Sequence, residues 1–143
     1  MFHRSDFYYD NKEMPVLDRK VLETAVDEIL RELGPVANPA AFMRNRYLKL
    51  YKRSIATQRS PVTCRALSSL CFLDPAGDLY PCAIFNKRLI NVREMTGTFG
   101  ELWRSPEARS LAGECAQGRC PSCWNPCDAY SSMMASPLKV LTA

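Results

Sequence analysis

The sequence predicts an α+β fold, in which two N-terminal helices precede a small unit built from a β-hairpin and short helices. Three observations lead there. Apolar residues recur at helical spacing through the first part of the chain. A turn-forming Asp74-Pro75-Ala76-Gly77 separates two short extended runs. All seven cysteines lie from residue 64 onward, in two groups. The change of pattern divides the chain into residues 1–60 and 61–143.

Taking the elements in order, Asp18 caps a helix whose apolar positions are Leu22, Ala25, Val26, Ile29 and Leu33, and Gly34-Pro35 stops it. Asn38 caps a second helix with Pro39 in its first turn, running through Phe42, Tyr47, Leu50 and Tyr51 toward Ser54. The polar segment from Ala56 to Pro61 reads as a linker. Leu70–Leu73 and Leu79–Cys82 are the arms of a hairpin, with proline in a type I turn and glycine as the left-handed residue after it. That hairpin returns Cys82 toward the segment carrying Cys64. Cys71, alternating with Phe72 across the sheet, reads as a buried thiol. Thr98-Phe99-Gly100-Glu101 has capping-box spacing before Leu102-Trp103. Ser105-Pro106 opens another short helix carrying Arg109 and Leu111 toward Gly113.

The chain has 143 residues, enough to bury a core without covalent staples. It holds no stretch of about eighteen continuous apolar residues, and its first residues lack the apolar run of a secretory signal. The expected compartment is the reducing cytoplasm, with no membrane association. An odd number of cysteines there fits metal ligation better than disulfides. The formal charge of +4 counts every cysteine as a neutral thiol. Four coordinating thiolates around an iron-sulfur core would lower it, so the basic excess reads as compensation. The denser basic stretch at Arg44, Arg46, Lys49, Lys52, Arg53 and Arg59 spreads around a helix. It reads as a solvated face, and no nucleic-acid partner is expected. The single histidine, His3, lies at the N-terminus and reads as non-catalytic, and Asp74 and Asp78 read as turn formers.

The second cysteine group is Cys115-x4-Cys120-x2-Cys123-x3-Cys127, interleaved with Pro121, Trp124 and Pro126. Two cysteines separated by two residues can aim both sulfurs at one centre, in zinc and iron-sulfur sites alike. Spacing by itself leaves the metal open. Few apolar side chains besides Trp124 and Tyr130 fall between residues 113 and 131, so this tail is expected to take its order from bound metal.

Together, Cys64-x12-Gly77-x4-Cys82 and Cys120-Pro121-Ser122-Cys123-Trp124-x2-Cys127 resemble the SPASM domain, or its shorter twitch form, of radical S-adenosylmethionine enzymes. The string Asp74-Pro75-Ala76-Gly77-Asp78-Leu79-Tyr80-Pro81-Cys82 carries most of the likeness. The full pattern continues as C-x2-C-x5-C-x3-C with a further cysteine downstream. Here x2 and x3 follow one another directly and no cysteine follows Cys127. The resemblance therefore implies one auxiliary four-iron four-sulfur cluster in a twitch-like domain. It makes Cys64 and Cys82 the hairpin ligands and Cys120 and Cys123 the later pair, with Cys127 in reserve and Cys115 below it.

The catalytic C-x3-C-x2-C motif of those enzymes does not occur in the sequence. The resemblance implies a C-terminal piece, partnered by a radical S-adenosylmethionine barrel elsewhere, with S-adenosylmethionine bound only by the complete enzyme. Its substrate would be a peptide or small metabolite, and the cluster would anchor it or relay an electron. Residues 1–55, with Phe7-Tyr8-Tyr9 and the Asp18 helix, read either as the end of such a barrel or as two helices packed on the cluster domain. Two other function classes remain open: a zinc-binding interaction module and a free-standing iron-sulfur electron carrier.

Overall fold

The structure, a computed structural model, describes residues 18–121 and 123–141. His3 and Phe7-Tyr8-Tyr9 lie outside these residues. The fold is α+β, mostly helical, with one small antiparallel sheet.

Helix α1 spans Arg19–Glu32 and begins where the Asp18 carboxylate accepts from the Lys20 N–H at 2.7 Å. Gly34 follows it in the left-handed region, at φ 65°. Of the expected stripe, Val26 is buried and Leu22 packs against the core, whereas Ile29 stays 45 % exposed. Helix α2, Pro39–Thr57, begins on Asn38, whose side chain accepts from the Ala41 N–H at 2.8 Å. It runs past Ser54 into the segment expected as linker, because Ile55 is buried in the core. Burial of one more apolar turn outweighs the weak signal of the polar residues around it. Gln58 then ends the helix in the left-handed conformation, at φ 54°.

The sheet is smaller and one strand richer than its sequence suggests. Strand β1 (Phe72–Leu73) pairs antiparallel with β2 (Asp78–Tyr80), aligning Phe72 with Tyr80 and Leu73 with Leu79. Strand β3 (Ile90–Asn91) adds to the far edge of β2. At two residues it is too short to show a periodic signal. Asn91 ties it to the turn: its amide donates to Ala76 O at 3.1 Å and to the Asp78 carboxylate at 2.8 Å. In the turn, Gly77 N–H donates to Asp74 O at 3.0 Å, with Gly77 at φ 91°. A Cβ at Gly77 would stand 3.1 Å from Asn91 Oδ1. Gly77→Ala is therefore expected to cost about 1–3 kcal/mol, read as a lowered urea midpoint.

The capping box at Thr98 and Glu101 forms in full and opens α3, Phe99–Trp103. Helix α4, Pro106–Ala116, starts on the Ser105 cap and continues through Gly113 to bury Ala108, Leu111 and Cys115 along one face. Helix α5 (Pro126–Met134) starts inside the 113–131 region expected to take its order from metal, and α6 (Pro137–Leu141) follows it. Asn125 caps α5, accepting from the Asp128 N–H at 3.0 Å, and Pro126 fills its first turn.

The main core joins α1 and α2 to the C-terminal helices through Val26, Leu50, Tyr51, Ile55, Trp124, Ala129, Met133 and Val140. The two N-terminal helices thus pack on the cysteine-bearing part of the chain. A second small cluster gathers Ala66, Cys82 and Cys115. Among the described residues no helix is long and apolar enough to cross a membrane.

Candidate metal centre

Cys64, Cys82, Cys115, Cys120 and Cys123 come together between the loop before the hairpin, the end of the hairpin, the last turn of α4 and the segment leading into α5. Cys82 and Cys115 are buried in the same small cluster, and Cys64 packs against it. Cys64, Cys115, Cys120 and Cys123 line one cavity of about 560 Å³.

Local backbone fixes the first two thiols. Leu67 takes a left-handed conformation, φ 56°, and its N–H reaches Leu70 O at 2.7 Å, folding the chain back beneath Cys64. Such a conformation costs a non-glycine residue about 1 kcal/mol or more. The fold turns the Arg65 and Ala66 N–H groups onto the Cys64 sulfur. Cys82 is served in the same way by Ile84 and Phe85, the latter at 3.4 Å. Backbone N–H donors onto sulfur favour the thiolate, the form that binds metal.

Cys115 lies between Cys64 and Cys120 and is hydrogen-bonded to both. It keeps its proton, with its pKa driven far upward, chiefly by those two bonds. Cys64 is correspondingly lowered to about 7, mainly by its hydrogen bond from Cys115. Cys120 is lowered by the same thiol. Burial pushes Cys82 up to about 11 and raises Cys123 as well. These opposed shifts describe thiols held too close to be ionised together without a cation among them.

Asp128 completes the lining and was not foreseen from sequence. It is 9 % exposed, and burial raises its pKa, partly offset by a hydrogen bond from the Asn125 amide to Oδ2. Cys127, expected as a reserve ligand, is exposed in the first turn of α5 and does not line the cavity. Cys71 is half-buried just before β1, away from the other thiols, and burial raises its pKa. Among the described residues, no three Cys, His, Asp or Glu side chains are arranged to hold a single metal ion.

Cys115 and Asp128 both had a legible signal. Ala108, Leu111 and Cys115 keep helical spacing once α4 is allowed past Gly113. Asn125-Pro126 repeats the cap-then-proline pattern that opens α2 and α4.

A family model, the SPASM iron-sulfur cluster-binding domain, matches residues 64–128. This segment, a little under half of the chain, is similar to that domain. Comparison with curated proteins and with solved structures gave no match. The SPASM match starts at Cys64 and takes in all seven cysteines. The domain is an iron-sulfur cluster-binding module, and the thiols that line the cavity are the donor set such chemistry requires. Soft thiolates, backbone N–H groups on two sulfurs and the buried Trp124 beside the cavity fit an iron-sulfur centre.

Proposed function

We propose that this chain holds one four-iron four-sulfur cluster as the auxiliary centre of a radical S-adenosylmethionine enzyme that modifies a peptide or small metabolite. The observation that carries the reading is the convergence of five thiols from remote parts of the SPASM-like segment. Ligands are drawn from Cys64, Cys82, Cys120 and Cys123, with Cys115 in place to complete or exchange one of them. Cys127 takes no part, being exposed outside the cavity.

When bound, such a cluster supplies a one-electron relay or an iron that anchors substrate. The chain's own residues prepare the site. N–H groups of Arg65, Ala66, Ile84 and Phe85 stabilise negative charge on Cys64 and Cys82. Trp124, 2 % exposed, closes one wall to water. The catalytic barrel belongs to other sequence, because no C-x3-C-x2-C motif occurs here. The reading places the protein in the reducing cytoplasm, where its thiols stay available for metal.

The test is anaerobic reconstitution followed by absorption spectroscopy. A broad band near about 400 nm that bleaches on reduction supports the reading. A colourless protein carrying stoichiometric zinc contradicts it and favours a zinc-binding interaction module. Cys71→Ala is expected to leave that band at its wild-type intensity, since Cys71 stands apart from the other thiols. Loss of the band in this variant would place Cys71 among the ligands.

A further inference from the structure

We infer that the mouth of the thiol cavity binds carboxylate groups, so that the species brought to the cluster is an acidic peptide or a small di- or tricarboxylate. This rests on the proposed cluster site and adds the chemical class of what reaches it.

Three cations from three separate elements face this cavity: Arg59 just after α2, Arg119 just after α4, and Lys139 on α6. None has a carboxylate partner among the described residues. Ion pairs among the described residues form instead at Arg19–Glu23, Lys52–Asp27, Lys87–Glu114 and Arg88–Asp78, all away from the cavity. Two of the three are steered by neutral neighbours that also line the cavity. Lys139 Nζ donates to Thr63 Oγ1 at 3.3 Å, and Arg119 Nη1 donates to Gln117 Oε1. Such bonds orient a cation and leave its charge uncompensated. Among the described residues the one lining carboxylate, Asp128, lies buried beside Asn125.

Two arginines and a lysine around a half-open cavity suit carboxylates, which guanidinium groups bind through paired hydrogen bonds. The competing account is that these cations only offset the negative charge of a thiolate-ligated cluster. It predicts no carboxylate binding.

The experiment titrates the reconstituted full chain with tri-glutamate, glutarate and tri-lysine by calorimetry at low salt, counting iron and sulfide on the same samples. Tri-glutamate or glutarate binding, with none for tri-lysine, supports the inference, and the tighter of the two identifies a peptide or a metabolite as the source. The double variant R119Q/K139Q is expected to keep its iron and lose at least about tenfold in affinity. K49Q, on α2 outside the cavity, is expected to bind as wild type. Equal binding of the acidic and basic peptides, or wild-type affinity in the double variant, overturns the inference. A wild-type sample lacking iron and sulfide overturns the cluster reading instead, and the same titration on that sample still decides whether the mouth binds carboxylates.

Discussion

Replacing Cys82 or Cys123 with alanine is expected to abolish iron and sulfide incorporation, and replacing Cys115 to reduce it severely, whereas Cys127→Ala retains both at wild-type level. The contrast follows from position. Cys82 is buried beside Cys115, and Cys123 lines the cavity, whereas Cys127 is exposed. A cluster that loses one thiolate must recruit another donor or leave an iron open, and buried apo-thiols are costly to ionise singly. Iron and sulfide assays on the four variants, with circular dichroism to confirm that each is folded, check the prediction. Full loading of Cys115→Ala with loss in Cys127→Ala would reverse the roles assigned to these two residues.

Trp124→Ala is expected to destabilise the protein by about 3–5 kcal/mol, the usual range for deleting a buried aromatic side chain. Trp124 holds the N-terminal helices to the cluster-bearing domain. Its ring stacks on Tyr47 with centroids 5.6 Å apart and planes 10° from parallel. Tyr47 in turn stacks on Tyr130 at 5.3 Å. Polar contacts run both ways across this pair: Trp124 Nε1 donates to Tyr47 O at 3.3 Å, and the Tyr47 hydroxyl donates to Trp124 O at 3.1 Å. Urea unfolding measures the effect, with Trp124→Phe expected to cost less than half as much because a ring remains on the stack. A loss below about 1 kcal/mol for alanine would show that the two parts are held together elsewhere. The substitution also opens the cavity wall, so faster bleaching of the cluster band in air is expected alongside the lost stability.

Where local chemistry decides, the sequence could be read. Asp18, Asn38, Thr98 and Ser105 each cap the helix they were expected to cap, because a short side-chain oxygen next to an apolar stripe satisfies an otherwise unpaired N–H. The Asp74–Gly77 turn and the convergence of Cys64 with Cys82 were likewise legible. What escaped depended on tertiary packing. Ile55 draws α2 onward because the core reaches it, and β3 exists only because Asn91 and the turn hold it. The C-terminal region was read as ordered by metal since its apolar residues are few. It contains α5, which buries Asp128, Ala129, Ser132 and Met133, two of them polar residues that no hydrophobic pattern would reveal. Cys115 was ranked last by spacing and lies among the thiols, because α4 carries it there on the same face as Leu111.

The central claim is that the SPASM-like segment of this chain holds one iron-sulfur cluster on its converged thiols. The most direct test is to count iron, acid-labile sulfide and zinc per chain after reconstitution without oxygen. About four irons and four sulfides with little zinc is the predicted result. One zinc per chain with no sulfide would contradict it.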